Sequence, residues 1–389
     1  VATDVKPYCR EGQSGAEQIR DITSARIVVG TVNLCARLSF LGVSREHFDV
    51  LCVDEAGHAT EPESVSVAAT LMDFRRGNVE EGQLILAGDP RQLGPIITSD
   101  LCKKYGMGTS YMERLTGRDI YGRTPDGGRY PPELLTKLVR NYRSHPSIMK
   151  LPNELFYDDE LIMCGDMLST HSLARWEHLP KPGFPILFHA VHGENLREGT
   201  SPSWFNPQEA QQVTDYVHLL VQQTRPSVSP DDIGIITPYA RQAQKIKTAL
   251  RISNLDEVKV GSVETFQGQE RRVIILSTVG AENDLLTSDM KYNLGFVANE
   301  KRFNVAITRA KSLLIVIGHP KVLATDRKCW LPLMKLCKEK ESWLGQDWDE
   351  DDDSSSSSED ESDGSETDSE TDSVHVSQAV EQEGMGYIN

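Results

Sequence analysis

Five short runs along the chain carry residue types suited to phosphate chemistry, and each also has an ordinary reading. The first is Val50-Leu51-Cys52-Val53-Asp54-Glu55-Ala56-Gly57, an apolar strand that ends in adjacent carboxylates. Ligands of open α/β sheets bind at the carboxyl ends of strands. An Asp placed there can hold Mg²⁺, directly or through water, because hard cations prefer oxygen ligands. The Glu that follows can orient and deprotonate an attacking water. The ordinary reading is an Asp-Glu turn capping the next helix, and on this run alone the two compete on equal terms. The second run spans residues 83–95. An apolar strand ends in the turn Gly88-Asp89-Pro90 and then presents Arg91 and Gln92. A glutamine can hydrogen-bond a phosphate or its attacking water without adding charge. Gly, Asp and Pro also favour any turn.

The third run, residues 138–146, places Tyr142 beside Arg143. The ring can stack on a nucleobase, and the planar guanidinium can reach a phosphate. The alternative is a strand end with exposed polar residues, and His145 alone reads as structural. The fourth, Gly261 to Glu270, has small residues that let a backbone approach phosphates, and Glu270 can accept hydrogen bonds from a ribose. A strand-loop-strand connection with a solvated Glu is the alternative. The fifth, Arg302 to Lys311, offers Arg309 as an arginine finger, or else an amphipathic helix with a basic face. Taken singly, three of the five are better read the ordinary way. Their joint order and spacing favour the chemical reading.

Such groups need rigid carriers. Almost wholly apolar runs at Ala25–Val32, Phe48–Val53, Gln83–Ala87, Phe184–His189, Ile233–Thr237, Val258–Val263, Arg272–Thr278 and Ser312–Ile317 read as parallel strands buried on both faces. Between them, Asn206-Pro207-Gln208-Glu209 offers a helix N-cap, a first-turn proline and an acid at the third position. Thr60-Glu61-Pro62-Glu63 repeats the pattern. Strand-helix alternation implies α/β domains with right-handed crossovers. We place one domain at 1–150, a connector at 151–183 containing several prolines, a second domain at 184–340, and a tail at 341–389.

The chain starts at Val1 and reads as a piece of something longer. Its apolar runs are too short to span a bilayer. Seven scattered cysteines, never spaced C-x-x-C, argue against a disulfide framework or zinc site and for reduced thiols, with Cys52 as a small core residue. The net charge of −17 is misleading as a whole. Seventeen of the 58 acidic residues and none of the 41 basic ones lie in 341–389, so residues 1–340 balance at zero. The body is therefore not repelled from nucleic acid. The acidic, serine-rich tail from about Trp348 has little apolar surface to bury and is expected to be disordered and phosphorylatable.

The five runs resemble motifs II to VI of superfamily 1 helicases of the up-frameshift type. Asp-Glu-Ala-Gly, Gly-Asp-Pro-Arg-Gln-Leu-Gly-Pro, Arg-Asn-Tyr-Arg-Ser-His-Pro, Phe-Gln-Gly-Gln-Glu and Arg-Phe-Asn-Val-Ala-Ile-Thr-Arg-Ala-Lys resemble the Moloney-leukaemia-virus-10 and Armitage helicases, as does Ser201-Pro202-Ser203-Trp204-Phe205. The resemblance covers residues 25–320. It implies two tandem RecA-like domains with ATP between them. Asp54 would hold Mg²⁺, Glu55 activate the water, and Gln92 sense the γ-phosphate. Tyr142 would pack on adenine, Arg143 reach the γ-phosphate, Gly268 and Glu270 bind the nucleotide, and Arg309 stabilise the transition state. Thr31, Pro95, Thr237, Tyr239 and Ser262 would grip single-stranded RNA by its backbone. The family further implies 5′-to-3′ movement, RNA-guided silencing with Argonaute or Piwi-type partners, and a cytoplasmic location that includes granules of ribonucleoprotein. One departure matters: the family's phosphate loop contains Gly-Lys, and this chain has no Gly-Lys dipeptide. The chain by itself is therefore expected to hydrolyse little ATP. Remodelling of ribonucleoprotein without unwinding, a non-catalytic RNA scaffold, and a DNA substrate stay open as alternatives.

Overall fold

A computed structural model of the chain describes residues 22–45, 47–74, 82–124, 128, 130–199, 203–280 and 299–349. The disorder and phosphorylation expected of the tail fall on residues 350–389, outside the described ones. The described residues up to Trp348 fall in one compact unit.

The run Ala25–Val32 does not form the expected strand. The Thr31 side chain accepts from the Leu34 amide at 3.4 Å and opens helix α1, Val32–Ala36. Residues 25–31 meet no ladder partner among the described residues, and a β-branched run without a partner edge has no reason to stay a strand. Strands β1 (Val50–Val53) and β2 (Gln83–Leu86) do form and pair in parallel, with Val53 opposite Leu86. Their burial differs from expectation, because side chains alternate between a covered and an open face. Helix α2 (Glu61–Leu71) packs its Val67 and Leu71 with Val53, Leu51 and Leu84 on the covered face. Cys52 is exposed on the other, so it is not a core residue. Helix α2 starts as expected. Thr60 accepts from the Glu63 amide, and Glu63 accepts from the Thr60 amide at 2.9 Å.

Further along lie helix α3 (Tyr111–Thr116), the two-residue parallel pair β3 (Arg140–Asn141) and β4 (Ile162–Met163), and between these helix α4 (Pro146–Phe156). Helix α4 runs across residue 150 and carries Pro152 inside it. Composition alone had made that proline part of a connector.

The main body is a six-stranded parallel sheet. Its strands are β5 (Ile186–Ala190), β8 (Ile233–Ile236), β9 (Lys259–Gly261), β10 (Arg271–Ser277), β11 (Ala310–Gly318) and β12 (Trp343–Gly345), in the order β12-β5-β11-β10-β8-β9. A small antiparallel hairpin, β6 (Leu196–Arg197) with β7 (Trp204–Phe205), stands apart from it. Period-two alternation splits the central strands between two apolar layers. Ile274, Leu276, Leu314 and Val316 join one layer, and Val273, Ile275, Leu313, Ile315 and Ile317 the other. Helices α5 (Pro207–Gln222) and α6 (Ala240–Ile252) cover the second layer. Helices α7 (Glu300–Ile307) and α8 (Trp330–Glu339), with α4, cover the first. Here the reading of strands buried on both faces holds.

Two details go beyond the sequence reading. Glu209, expected only as an acid in the first turn of α5, is fully buried and accepts from the Ser277 hydroxyl at 2.7 Å and the Val279 amide at 3.0 Å. And β12 lies past residue 340, where composition had placed the start of the tail. Trp343 stacks on Phe188, and Trp348 is buried in the same apolar layer. The aromatic anchors outweigh the acidic neighbours there.

Candidate functional site

The two turns that carry Asp54-Glu55 and Asp89 lie at the same end of a parallel pair and pack backbone to backbone. The Ala56 amide donates to the Ala87 carbonyl at 2.8 Å. A Cβ on Gly88 would lie 3.0 Å from the Gly57 nitrogen and 3.1 Å from the Ala56 nitrogen, so a side chain there would press the two turns apart. Glu55 sits at φ 52, a left-handed conformation that costs a non-glycine residue of order 1–3 kcal/mol. It aims the exposed carboxylate towards Gln267, whose amide donates to it at 3.4 Å. Asp54 is exposed, and its Oδ1 accepts from the Glu55 amide at 3.0 Å.

Opposite this end stands Arg309, 2 % exposed, at the end of α7. Its Nε donates to the Val305 carbonyl at 3.1 Å, one terminal nitrogen to the Gln269 carbonyl at 3.3 Å, and the other to Gln92 Oε1 at 3.0 Å. These three partners, and the Thr308 hydroxyl at 3.5 Å, are all neutral oxygens, and Arg309 forms no ion pair with a described carboxylate. Burial, and after it the nearby Arg143 cation, push its pKa down to about 10. Arg143 in turn donates to Glu270 at 2.6 Å, and Lys311 lies 2.5 Å from the same carboxylate. Burial by itself would raise the Glu270 pKa, but Lys311 and Arg143 hold it below the usual carboxylate range. A buried guanidinium solvated only by neutral oxygens beside a second guanidinium is an expensive arrangement in a low dielectric. It suits a site that receives an anion.

The Gln92 amide is fixed at both ends. Its nitrogen donates to Asp89 Oδ2 at 2.9 Å while its oxygen faces Arg309. Flanking ion pairs brace the same region: Lys301 to Glu113 at 3.0 Å ties α7 to α3, and Arg302 to Glu264 at 2.9 Å ties α7 to the loop after β9. Tyr142 is 65 % exposed, its ring stacked on no described aromatic, and Gly268 sits exposed at φ 67.

A second feature lies at the ends of β8 and β9. A cavity of about 430 Å³ is lined by Thr237, Tyr239, Lys247, Ser262 and Thr265, among others. The Thr237 hydroxyl is buried without a hydrogen-bond partner among the described residues. The Thr237 amide donates to the Gly261 carbonyl at 3.0 Å, which sets the two strand ends side by side.

The expected residues thus fall into two groups. Gln92 bonds to Arg309 and Arg143 to Glu270, while Glu55, Arg143 and Glu270 act on Arg309 through their charges; Thr237, Tyr239 and Ser262 share the cavity. Thr31, a helix cap, and the half-buried Pro95 line neither. The sequence reading passed over Asp89, Gln267, Asn304 and Lys311, which lie inside the quoted runs, and Tyr157, which lies in none and carries no local signal.

Parallel strands that end in Asp-Glu and Gly-Asp turns, faced by the buried Arg309 and the half-buried Arg143, define an α/β protein with cations gathered at one strand end. Known proteins agree. Family models described as AAA domain match residues 107–321 and 5–100. The putative helicase mov-10-B.1 of Danio rerio is 49% identical over 341 residues, covering 84% of this chain and 33% of the relative. The RNA helicase Mov10l1 of Homo sapiens is 47% identical over 351 residues, covering 89% of this chain and 28% of the relative. The probable RNA helicase armi of Drosophila melanogaster is 38% identical over 344 residues, covering 85% and 28%. The chain belongs to this AAA-domain family, within the superfamily 1 helicases of the Moloney-leukaemia-virus-10 and Armitage type. It spans about a third or less of the length of these relatives.

Proposed function

We propose that the protein is an ATP-dependent helicase or translocase that acts on single-stranded RNA. The observation that carries this reading is Arg309, a buried cation with neutral partners, set 3.0 Å from Gln92 and next to Arg143. Charge builds on the γ-phosphoryl oxygens during transfer, so two guanidiniums at that point suit the reaction. Glu55, exposed and held at a strand end, is the general base for the attacking water. Asp54 fits Mg²⁺: its carboxylate is exposed and pairs with no described cation, so a hard ion can share it with water and phosphate oxygens. Bound there, the ion would neutralise charge on the phosphates. Tyr142 offers its open ring to the base, and Gly268 and Glu270 take the sugar side.

The cavity at Thr237, Tyr239 and Ser262 takes the RNA backbone, since an unpartnered buried hydroxyl is a ready donor to a phosphate or sugar oxygen. Thr31 and Pro95 lie outside that cavity, and their part in holding RNA rests on likeness to the family alone. Two RecA-like domains divided near residues 150 and 184, 5′-to-3′ travel, a role in RNA-guided silencing with Argonaute or Piwi-type partners, and a cytoplasmic location complete the proposal. They rest on likeness to the RNA helicases named above. The test is ATP hydrolysis by the full-length protein with and without single-stranded RNA, beside strand displacement. RNA-stimulated turnover is expected, with Glu55→Gln slower by about 10²–10⁴-fold. Turnover of Glu55→Gln near the wild-type rate overturns the assignment of the base. Turnover without strand displacement favours remodelling over unwinding.

A further inference from the structure

Tyr157 lies outside every motif, yet its hydroxyl bonds to both sides of the cleft. It donates to Asp89 Oδ2 at 2.7 Å and accepts from Asn304 Nδ2 at 2.8 Å. Asp89 belongs to the turn that carries Gln92, and Asn304 to α7, which leads through its cap Thr308 into Arg309. We propose that Tyr157 is a positioning residue that sets the register of Arg309 against Gln92 for the hydrolysis step. The proposal deepens the nucleotide-site reading and rests on it.

The direction of each bond is fixed by chemistry. A carboxylate only accepts, so the single phenol proton points at Asp89, and the phenol oxygen must take its second bond from a donor. The Asn304 amide nitrogen supplies that donor and also donates to the Arg91 carbonyl at 3.1 Å. Asp89 Oδ2 accepts from Gln92 as well, so the Gln92 nitrogen is committed to Asp89 and its oxygen must face Arg309. A flipped amide would present N–H to a guanidinium and lose both bonds. The chain Asn304, Tyr157, Asp89, Gln92, Arg309 therefore has one allowed polarity.

Tyr157 is itself held. It caps the C-terminus of α4, where Asp158 and Asp159 turn the backbone through left-handed conformations at φ 54 and 56. Asn153 clamps that turn, donating to Asp159 Oδ1 at 2.8 Å and accepting from the Leu161 amide at 2.9 Å. Beneath it, the Phe156, Phe303 and Trp330 rings pack α4 against α7 and α8. Burial first, and then the Asp89 charge, raise the phenol pKa well above its ordinary range, so the bridging proton stays in place.

Tyr157→Phe keeps the ring and removes only the bridge. A displacement of about 1 Å at a reacting group can cost roughly 10²-fold. In the full-length protein with single-stranded RNA, Tyr157→Phe is expected to lower kcat by about 10- to 100-fold. KM for ATP should stay within about twofold, and thermal stability should be little changed. Asn304→Ala, which removes the donor on the other side, should give the same split. Because Tyr157 acts through Asp89 and Gln92, Tyr157→Phe should add nothing to Gln92→Ala. An unchanged kcat, an effect confined to KM, or the same fold-loss in the Gln92→Ala background overturns the proposal. Wild-type protein without RNA-stimulated hydrolysis sinks the nucleotide-site reading and this inference with it. An active wild type with an unaffected Tyr157→Phe sinks this inference alone.

Discussion

Replacing Arg309 with lysine keeps the charge and removes the fork. The arginine reaches three oxygens on different sides, at 3.1, 3.3 and 3.0 Å. An ammonium is a single point of charge and can keep one of these directions well. Two bonds from a charged donor are then lost, at about 1.5–3 kcal/mol each, or about 3–6 kcal/mol together. If that organisation is expressed in the transition state, the rate falls by about 10²–10⁴-fold, within reach of the roughly 10³–10⁵-fold contributed by arginine fingers. The assay is single-turnover ATP hydrolysis by full-length protein saturated with single-stranded RNA, with nucleotide affinity measured separately. The expected outcome is near-normal affinity with slow chemistry. Arg309→Lys hydrolysing within about threefold of wild type, or losing binding and turnover in equal measure, would refute the reasoning and make Arg309 a buried strut between Val305, Gln269 and Gln92.

Three further outcomes follow from the structure. Thr237→Val removes a hydroxyl with no described partner, so thermal stability should hold or rise, while affinity for single-stranded RNA in a filter or anisotropy assay should fall by about 2- to 10-fold, one hydrogen bond's worth. His145 is held neutral at a pKa of about 4 by burial first and then by the neighbouring His171, and its Nδ1 accepts from the Ser147 amide at 3.1 Å. The unfolded chain takes up that proton near the ordinary 6.5, so the contribution of His145 is fully present above that pH and is lost as pH falls towards 4. Thermal unfolding followed from pH 7.5 to 4 should show the decline, and it should flatten in His145→Asn. Residues 350–389 hold fourteen acidic residues and no basic one. Truncating the chain after Asp349, which spares the buried Trp348, should raise RNA affinity at low salt if that polyanion competes for the RNA site. Equal affinity at every ionic strength would reject competition.

The sequence by itself determined five of the six strands of the main sheet to within a residue or two, because apolar runs buried on both faces need no partner-specific information to be read. It also determined the starts of α2 and α5, where capping depends only on residues three apart. Motif order singled out Asp54, Glu55, Gln92, Arg143 and Arg309 as the candidate site residues. Tertiary structure decided what those groups touch. Arg309 and Gln92 are far apart in the chain, and only folding shows that they meet and that the arginine has neutral partners alone. Local pattern could not reveal that Cys52 faces outward, since burial of β1 depends on what covers each face. Nor could it show that β12 closes the sheet edge beyond residue 340, or that Tyr157 bridges Asp89 and Asn304. In each case the deciding contact joins segments distant in sequence, and the periodicities of a helix or strand carry no record of such partners.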